Sequence, residues 1–263
     1  MSGPFQAVVL AGDRGPDDPV ARRAGVPCKA LVPVGGRPML LRVLDALAGS
    51  GAVAGVTLVG PRQAQLDACP ELARRIDAGE LAWLPPQPSP SLSAMAALER
   101  LPADRPVLLT TADHALLQSA WVDAFCAGAL GSGKDAVVGL AAHARVQAAF
   151  AQSRRTALRF RGGAYCGCNL FAFLTPAGRR APAFWRHIEQ QRKKPHRLAA
   201  ALGLGTLLAY LGGWLTLQGG LERLSRRVGA QLGAVLLDDP RAAVDVDTVA
   251  DFELVERLLA RGG

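Results

Sequence analysis

The chain has 263 residues, half of them hydrophobic and a fifth charged, and its formal net charge is +8 at pH 7. This composition is that of a globular protein, and the length allows one large domain or at most two small ones. We predict a single domain over residues 1–263. The excess of Lys and Arg favours anionic partners such as nucleotides and phosphorylated metabolites. Nucleic acid is not expected, because there is no nucleic-acid-binding motif and the basic residues lack interleaved aromatics.

The cysteines and the first residues bear on the cellular compartment. Five scattered cysteines form no CxxC pair, so free and mostly buried thiols in a reducing compartment are expected. The opening MSGPFQ has no basic segment followed by a long apolar stretch, so no signal peptide is predicted. These features indicate a cytoplasmic protein, with peripheral contact at the inner membrane face left open.

Apolar runs alternate with helical patterns through the first half of the chain, and residues 13–28 between them are predicted as a long loop. Strands are predicted at 5–12, 55–60, 81–86, 106–113 and 135–141, and helices from Pro38, at about 63–78, from an N-cap at Ser89 to Arg100, and around 121–130. This alternation predicts an α/β fold with a mostly parallel, covered sheet. Ligands of such folds bind beyond the carboxyl ends of the strands.

The second half of the chain is less regular. Strand-like segments lie at 156–160, 164–173 and 233–239, a basic helix is predicted at 181–194, and Thr248 with Asp251 forms a variant capping box for the last helix.

An apolar segment at 198–217 follows the basic stretch RKKPHR at 192–197. Its length reaches the range of a transmembrane helix. A basic flank beside an apolar face also fits peripheral contact with an anionic membrane through 192–217. We favour two short helices, broken at Gly212-Gly213 and buried against the sheet, because strand signals resume afterwards and the closing motif must return to the site.

A glycine-containing loop and a lysine follow the first strand. Gly12 and Gly15 carry no Cβ, so backbone N–H groups in this loop can approach phosphate oxygens. Lys29 then supplies a point charge. Neither GxxxxGK[ST] nor GxGxxG is present. The spacing alone is therefore also compatible with an ordinary surface lysine beside a turn.

Three carboxylates follow strand-like segments. Asp113 ends the strand VLLTTAD, where it could hold Mg²⁺ or cap the next helix. Asp245 and Asp247 share one face if their segment is extended, and two adjacent carboxylates repel unless a cation lies between them. The alternative is two solvated acids at a strand end.

Three motifs in order give the chain a resemblance to a known family. AVVLAG with CKALVPVGGRPMLLRVLDAL, TTADHALL, and DVDTVADFELVERLL resemble the opening, metal-binding and closing motifs of nucleotidyltransferases with a MobA-like NTP transferase domain. The resemblance covers residues 5 to about 258. It implies a Rossmann-like three-layer α/β/α fold with a mostly parallel mixed sheet of the GT-A type. It also implies Mg²⁺-dependent transfer of an NMP group from an NTP to a phosphorylated acceptor, with release of pyrophosphate. The acceptor is expected to be a phosphorylated small molecule, or a lipid phosphate if residues 192–217 contact a membrane.

The resemblance also implies roles for individual residues. The catalytic residues are Lys29 and Arg14, with Arg22 and Arg23 as alternatives to Arg14. The nucleotide-binding residues are Leu10, Ala11, Gly12, Lys29 and Ser91, and the metal ligands are Asp113, Asp245 and Asp247. The acceptor-binding residues are Asn169 and Arg161, in a segment that also contains Arg154, Arg155 and Arg159. The oligomeric state is not indicated.

The chain departs from the family pattern at three positions. Asp13 replaces the second glycine of the LAGG motif, Cys28 the proline before the lysine, and Ala115 the proline of the metal-binding motif. Two other functions therefore stay open. One is a glycosyltransferase that uses a nucleotide-sugar, although Thr111-Ala112-Asp113 is not a DxD. The other is a non-catalytic nucleotide-binding or membrane-associated protein.

Overall fold

The computed structural model describes residues 5–13, 17–152, 155–191 and 203–261. The strands are β1 (Phe5–Leu10), β2 (Pro33–Val34), β3 (Arg37–Pro38), β4 (Val53–Val59), β5 (Leu81–Leu84), β6 (Val107–Thr111), β7 (Ala136–Ala142), β8 (Leu158–Phe160), β9 (Gly163–Phe173) and β10 (Leu232–Leu237). The helices are α1 (Pro19–Ala24), α2 (Met39–Ala48), α3 (Gln63–Leu66), α4 (Pro70–Asp77), α5 (Pro90–Arg100), α6 (Ser119–Gly131), α7 (His143–Ala149), α8 (Ala181–Gln191), α9 (Leu204–Leu211), α10 (Leu217–Val228) and α11 (Val249–Arg261).

Within the described residues, eight strands form one mixed sheet. Its order is β10-β7-β9-β6-β1-β4-β5, and β8 pairs with β9 outside that path. The pairs β10–β7, β6–β1, β1–β4 and β4–β5 are parallel. β9 is antiparallel to both β6 and β7. The predicted α/β fold with a mostly parallel mixed sheet is confirmed.

Helices cover both faces of this sheet. Val8 packs with Ala94 and Ala97 of α5 on one face, whereas Ala7 and Val9 pack with α2 and α6 on the other. Successive residues of a strand point to opposite faces, so an unbroken apolar run such as AVVL is suited to a strand that is buried on both sides.

The predicted helix caps are present. The Ser89 hydroxyl accepts from the Leu92 N–H at 3.3 Å. At α11 the Thr248 hydroxyl accepts from the Asp251 N–H, and the Asp251 carboxylate accepts from the Thr248 N–H. Each cap binds N–H groups that the first helical turn leaves without a partner.

Two predicted segments differ in detail. The loop predicted at 13–28 contains α1, which Asp18 caps by accepting from the N–H groups of Val20 and Ala21. The single helix predicted at 63–78 is two helices, because Pro70 has no N–H to continue the first and opens the second. All five cysteines are buried and unpaired.

The apolar segment contains a helix with no buried residue. α9 ends before Gly212 and α10 begins at Leu217, so the break predicted at Gly212-Gly213 is present. The predicted burial of the first helix is wrong: Leu204, Leu208 and Leu211 are exposed. Across the described ranges, no helix is both long enough and apolar enough to cross a membrane. Residues 192–202 lie outside those ranges.

Candidate active site

Three neighbouring parallel strands end at the candidate site. The Leu10 carbonyl accepts from the Ala112 N–H, and the Ala11 N–H donates to the Val59 carbonyl, so the loop after β1 lies between the ends of β6 and β4. Leu10 and Ala11 are buried, and Gly12 is exposed. Of the three residues predicted to bind nucleotide here, Gly12 presents its backbone outward.

Lys29 lies between two carboxylates at this edge. It opens a short 3₁₀ turn, and its Nζ lies 2.8 Å from Asp113 Oδ2 and 2.8 Å from Asp247 Oδ1. Its side chain is only 15 % exposed. The first and last motifs of the chain, 218 residues apart, therefore meet through one ammonium group.

Asp113 is held from three directions. Its Oδ1 accepts from the Thr111 hydroxyl at 2.6 Å, and its Oδ2 accepts from Lys29. Its backbone carbonyl accepts from the Val246 N–H at 3.0 Å. This last bond fixes the 245–247 segment beside the end of β6, so that Asp245 and Asp247 flank Asp113.

Asp245 has a separate set of partners. Arg155 Nη1 lies 2.6 Å from its Oδ1, and Asn169 Nδ2 donates to its Oδ2 at 3.0 Å. Arg155 is nearly buried, and its Nη2 lies 2.8 Å from Asp251 Oδ1 in the cap of α11. Arg155 thus connects Asp245 to the start of the last helix.

Asn169 reaches Asp245 because β9 is irregular at that point. Between the paired positions Val138–Phe171 and Leu140–Gly167, β9 has three residues opposite the single residue Gly139. Asn169 has a φ of 50° in this bulge, in the left-handed region that asparagine tolerates better than most residues. The bulge redirects its side chain toward the site.

The charges of this cluster shift its pKa values in different directions. Burial opposes the charge of Lys29, but Asp113 and Asp247 outweigh it and raise the pKa of the ammonium. Burial also opposes the charge of Asp113, yet Lys29 and Thr111 hold the pKa of that carboxyl below its usual value. Burial, together with the negative charges of Asp113 and Asp247, raises the pKa of Asp245. Lys29 is therefore a cation at neutral pH.

Mg²⁺ is an untested prediction for this cluster. Within the described ranges, no group of three His, Cys, Asp or Glu side chains is arranged to hold a metal ion. Instead Lys29 lies against Asp113 and Asp247, and Arg155 against Asp245. The donor set has the chemistry of a Mg²⁺ site, because it consists of carboxylate oxygens, and the bond from the Val246 N–H to the Asp113 carbonyl places the 245–247 segment beside Asp113.

Asp13, which replaces the second glycine of the LAGG motif, lies in the loop after β1 at the carboxyl edge of the sheet. Gln65 Nε2 lies 3.3 Å from Asp13 Oδ2 and also donates to the Pro27 carbonyl. The Asp13 carboxylate is thereby connected to α3.

Two predicted site residues that the structure describes, Ser91 and Arg161, are not part of the cluster. Ser91 is fully buried and donates to Glu189 of α8 at 2.6 Å, which places it in helix packing. Arg161 is exposed at the turn between β8 and β9, and its backbone N–H donates to the Leu215 carbonyl. Arg14 lies outside the described residues.

Sequence reasoning missed the role of Arg155 and wrongly favoured a surface position for His114. Arg155 was only one of four arginines in the predicted acceptor region, and its pairing with Asp245 has no local signal. His114 is buried, and its ring stacks near Trp121 with centroids 6.4 Å apart. Burial lowers the pKa of His114 to about 4, so its ring is neutral beside Asp113.

The fold and the site define an α/β protein with a charged cluster at the carboxyl edge of its sheet. The chain belongs to the family of the MobA-like NTP transferase domain, whose model matches residues 7–166. It is a nucleotidyltransferase. No match is found among the curated proteins.

Solved structures agree with this assignment. The chain is 30 % identical to a hypothetical transferase from Thermus thermophilus, with a TM-score of 0.77, covering 95 % of this chain and 99 % of that one. It is 13 % identical, with a TM-score of 0.57, to CMP:2-keto-3-deoxy-manno-octonic acid synthetase in complex with CTP, covering 100 % of both chains. It is 14 % identical, with a TM-score of 0.58, to 4-diphosphocytidyl-2C-methyl-D-erythritol synthase from Anaerococcus prevotii, covering 98 % and 99 %. The last two likenesses show the fold.

Proposed function

We propose that this nucleotidyltransferase transfers the NMP group of an NTP to the phosphate of a phosphorylated acceptor. An oxygen of the acceptor phosphate bonds to the α-phosphorus of the NTP. The bond from that phosphorus to the oxygen bridging to the β-phosphate breaks, and pyrophosphate leaves with the electron pair. The acceptor phosphate is already an anion, so no side-chain nucleophile is required.

The observation that carries this proposal is the mostly buried ammonium of Lys29 between Asp113 and Asp247. Asp113 and Asp247 hold it in place and keep it protonated. A fixed cation with little exposure to water stabilises the charge that develops on the phosphates without having to reorganise. The exposed backbone at Gly12 supports an approach of the phosphates from the same side.

Asp113 and Asp245 are the residues that would hold Mg²⁺, with Asp247 beside them. The ion would supply positive charge to the phosphates. Thr111 orients Asp113, and Asn169 with Arg155 orients Asp245. Each of these carboxylates therefore has a second residue that fixes the direction of its oxygens.

CTP is the first donor to test. The two structures of similar fold named above are a CMP-sugar-acid synthetase in complex with CTP and a diphosphocytidyl-methylerythritol synthase. The acceptor is a phosphorylated small molecule or lipid, and Arg155 and Asn169 are the described residues of the acceptor segment that contact Asp245.

The test is a thermal-shift titration of the full chain with ATP, CTP, GTP and UTP, each with and without Mg²⁺. We expect one nucleotide to raise the Tm, and only when Mg²⁺ is present. At a hundredfold excess over Kd, bound nucleotide adds up to about 2.7 kcal/mol to the free energy of unfolding. Lys29→Ala and Asp113→Ala should abolish the shift, and Asp104→Ala, at an exposed aspartate, should retain it.

Pyrophosphate release with the selected nucleotide and a panel of phosphomonoesters then identifies the acceptor. Absence of a Tm shift with every nucleotide would overturn the proposal. A Tm shift without pyrophosphate release from any phosphorylated acceptor would instead support a non-catalytic nucleotide-binding protein.

A further inference from the structure

α9 is an uncharged helix on the surface of the protein. Its sequence, LGTLLAYL, contains no charged residue, and none of its residues is buried. A helix that is apolar all round is normally covered by protein or by lipid. Here Leu204, Leu208 and Leu211 are 64 %, 54 % and 71 % exposed, and the spacing of four and three residues places them on one face.

Trp214 follows this helix and lies against its end, with ring atoms 3.3 Å from where a Cβ would lie at Gly212. It is 73 % exposed, the largest value among the exposed large apolar side chains of the described residues. We call Leu204, Leu208, Leu211 and Trp214 the apolar patch. Exposed apolar residues are ordinary when scattered, but a contiguous group with a tryptophan indicates a surface that contacts another apolar phase.

Positive charge borders the apolar patch. The first residues of α9 line a shallow cavity of about 400 Å³ together with Arg223, Arg226 and Arg227 of α10. Arg226 and Arg227 are exposed, and no acidic residue lines the cavity. The partner of such a surface is therefore both apolar and anionic.

The apolar patch is fixed to the catalytic part of the fold. The Tyr210 ring meets the Phe160 ring edge-on, with centroids 5.8 Å apart, and the Arg161 N–H donates to the Leu215 carbonyl at 2.7 Å. Phe160 and Arg161 belong to the hairpin of β8 and β9, and β9 also carries Asn169 to the site. The patch thus has a rigid connection to the strand that borders the carboxylates.

We propose that the apolar patch and its arginines form a docking surface for an anionic phospholipid bilayer. Leucines and a tryptophan enter the boundary between headgroups and acyl chains, and arginines at the rim contact lipid phosphates. Each basic residue near an anionic surface strengthens binding. Charge complementarity decides for lipid over a second copy of the chain, since the arginine rim of one copy would face that of another.

The test is cosedimentation of the full chain with phosphatidylcholine vesicles and with vesicles that also contain phosphatidylglycerol. We expect binding to the anionic vesicles, weakened by salt, and a blue shift of tryptophan fluorescence that Trp214→Phe removes. Leu208→Asp should lower the vesicle partition coefficient at least tenfold, and Arg226→Ala about fivefold. Leu130→Asp, the same change at an exposed leucine of α6, should have no effect.

Two outcomes would overturn the proposal. One is equal or absent binding to both vesicle types. The other is a dimer in size-exclusion chromatography with light scattering that Leu208→Asp converts to a monomer, which would assign the patch to a second copy. Vesicle binding requires no nucleotide, so its failure and the failure of the proposed transferase function are separate results.

Discussion

Asp113 and Asp247 both contact Lys29, but they differ in exposure. The Asp113 side chain is 22 % exposed and has Thr111 as a second partner, whereas that of Asp247 is 47 % exposed. We expect Asp113→Asn to lower kcat/KM for pyrophosphate release on the order of 100-fold or more, because it removes a buried charge at the reacting phosphates.

Asp247→Asn is the matched change at the exposed partner. It should lower kcat/KM less than about tenfold, since exposed ion pairs contribute about 0–1 kcal/mol. Equal losses for the two variants in the same assay would contradict the assignment of Asp113 as the principal carboxylate.

Asn169 combines a left-handed backbone with a hydrogen bond to Asp245, and two substitutions separate these contributions. Asn169→Gly removes the hydrogen bond but accepts the φ of 50°, whereas Asn169→Ala also strains the backbone. We expect Asn169→Ala to be less stable than Asn169→Gly by about 1 kcal/mol in urea denaturation. Both should lose activity equally, because both leave Asp245 without this donor. Greater stability of the alanine variant would show that the bulge does not constrain residue 169.

At the scale of elements, Asp135 joins three strands at the edge of the sheet opposite the site. Its carboxylate accepts from the Thr175 hydroxyl and from the Gln231 N–H, each at 2.6 Å, and these bonds lower its pKa. Thr175 follows β9, and Gln231 precedes β10. We expect Asp135→Asn to reduce the free energy of unfolding at pH 7 by about 1–2 kcal/mol, because an amide nitrogen cannot accept a hydrogen bond.

The pH dependence of this effect follows from the direction of the pKa shift. A depressed carboxyl pKa stabilises the fold above the unfolded-state pKa of about 4, and this contribution is lost as pH falls through the lower folded-state value. Urea denaturation at pH 7 and near pH 3 should therefore show a smaller difference between wild type and Asp135→Asn at the acid end. Glu80→Gln, at an exposed position, is the control and should show little difference at either pH.

At the scale of the whole molecule, the nucleotide site and the apolar patch are separate surfaces with no residue in common. Effects at independent sites add to within about 0.3–0.5 kcal/mol. Leu208→Asp should therefore leave the nucleotide-dependent Tm shift of the wild type unchanged, and Asp113→Asn should leave vesicle binding unchanged. The two assays above measure this directly with the same three samples, the wild type and the two variants. Loss of nucleotide binding in Leu208→Asp would show that the patch is part of the site.

Local patterns in the sequence determined the alternation of strands and helices, the caps at Ser89 and Thr248, and three motifs in the order of a nucleotidyltransferase. Such features depend on neighbouring residues, because hydrophobic periodicity and helix capping are set by side chains a few positions apart in the sequence. The motif order also predicted that Lys29 and Asp113 belong to one site, and the structure brings these two side chains into contact.

Only the tertiary structure decided how the charges pair. Arg155 and Asp245 are 90 residues apart, and the bulge that turns Asn169 toward Asp245 arises where β9 inserts antiparallel between β6 and β7. The same holds for Ser91, which is buried against α8, and for α9, whose leucines are exposed although their sequence resembles a core segment. Burial and long-range pairing depend on which elements meet in space. The residues next to an apolar or charged side chain in the sequence do not identify its partner in the folded protein.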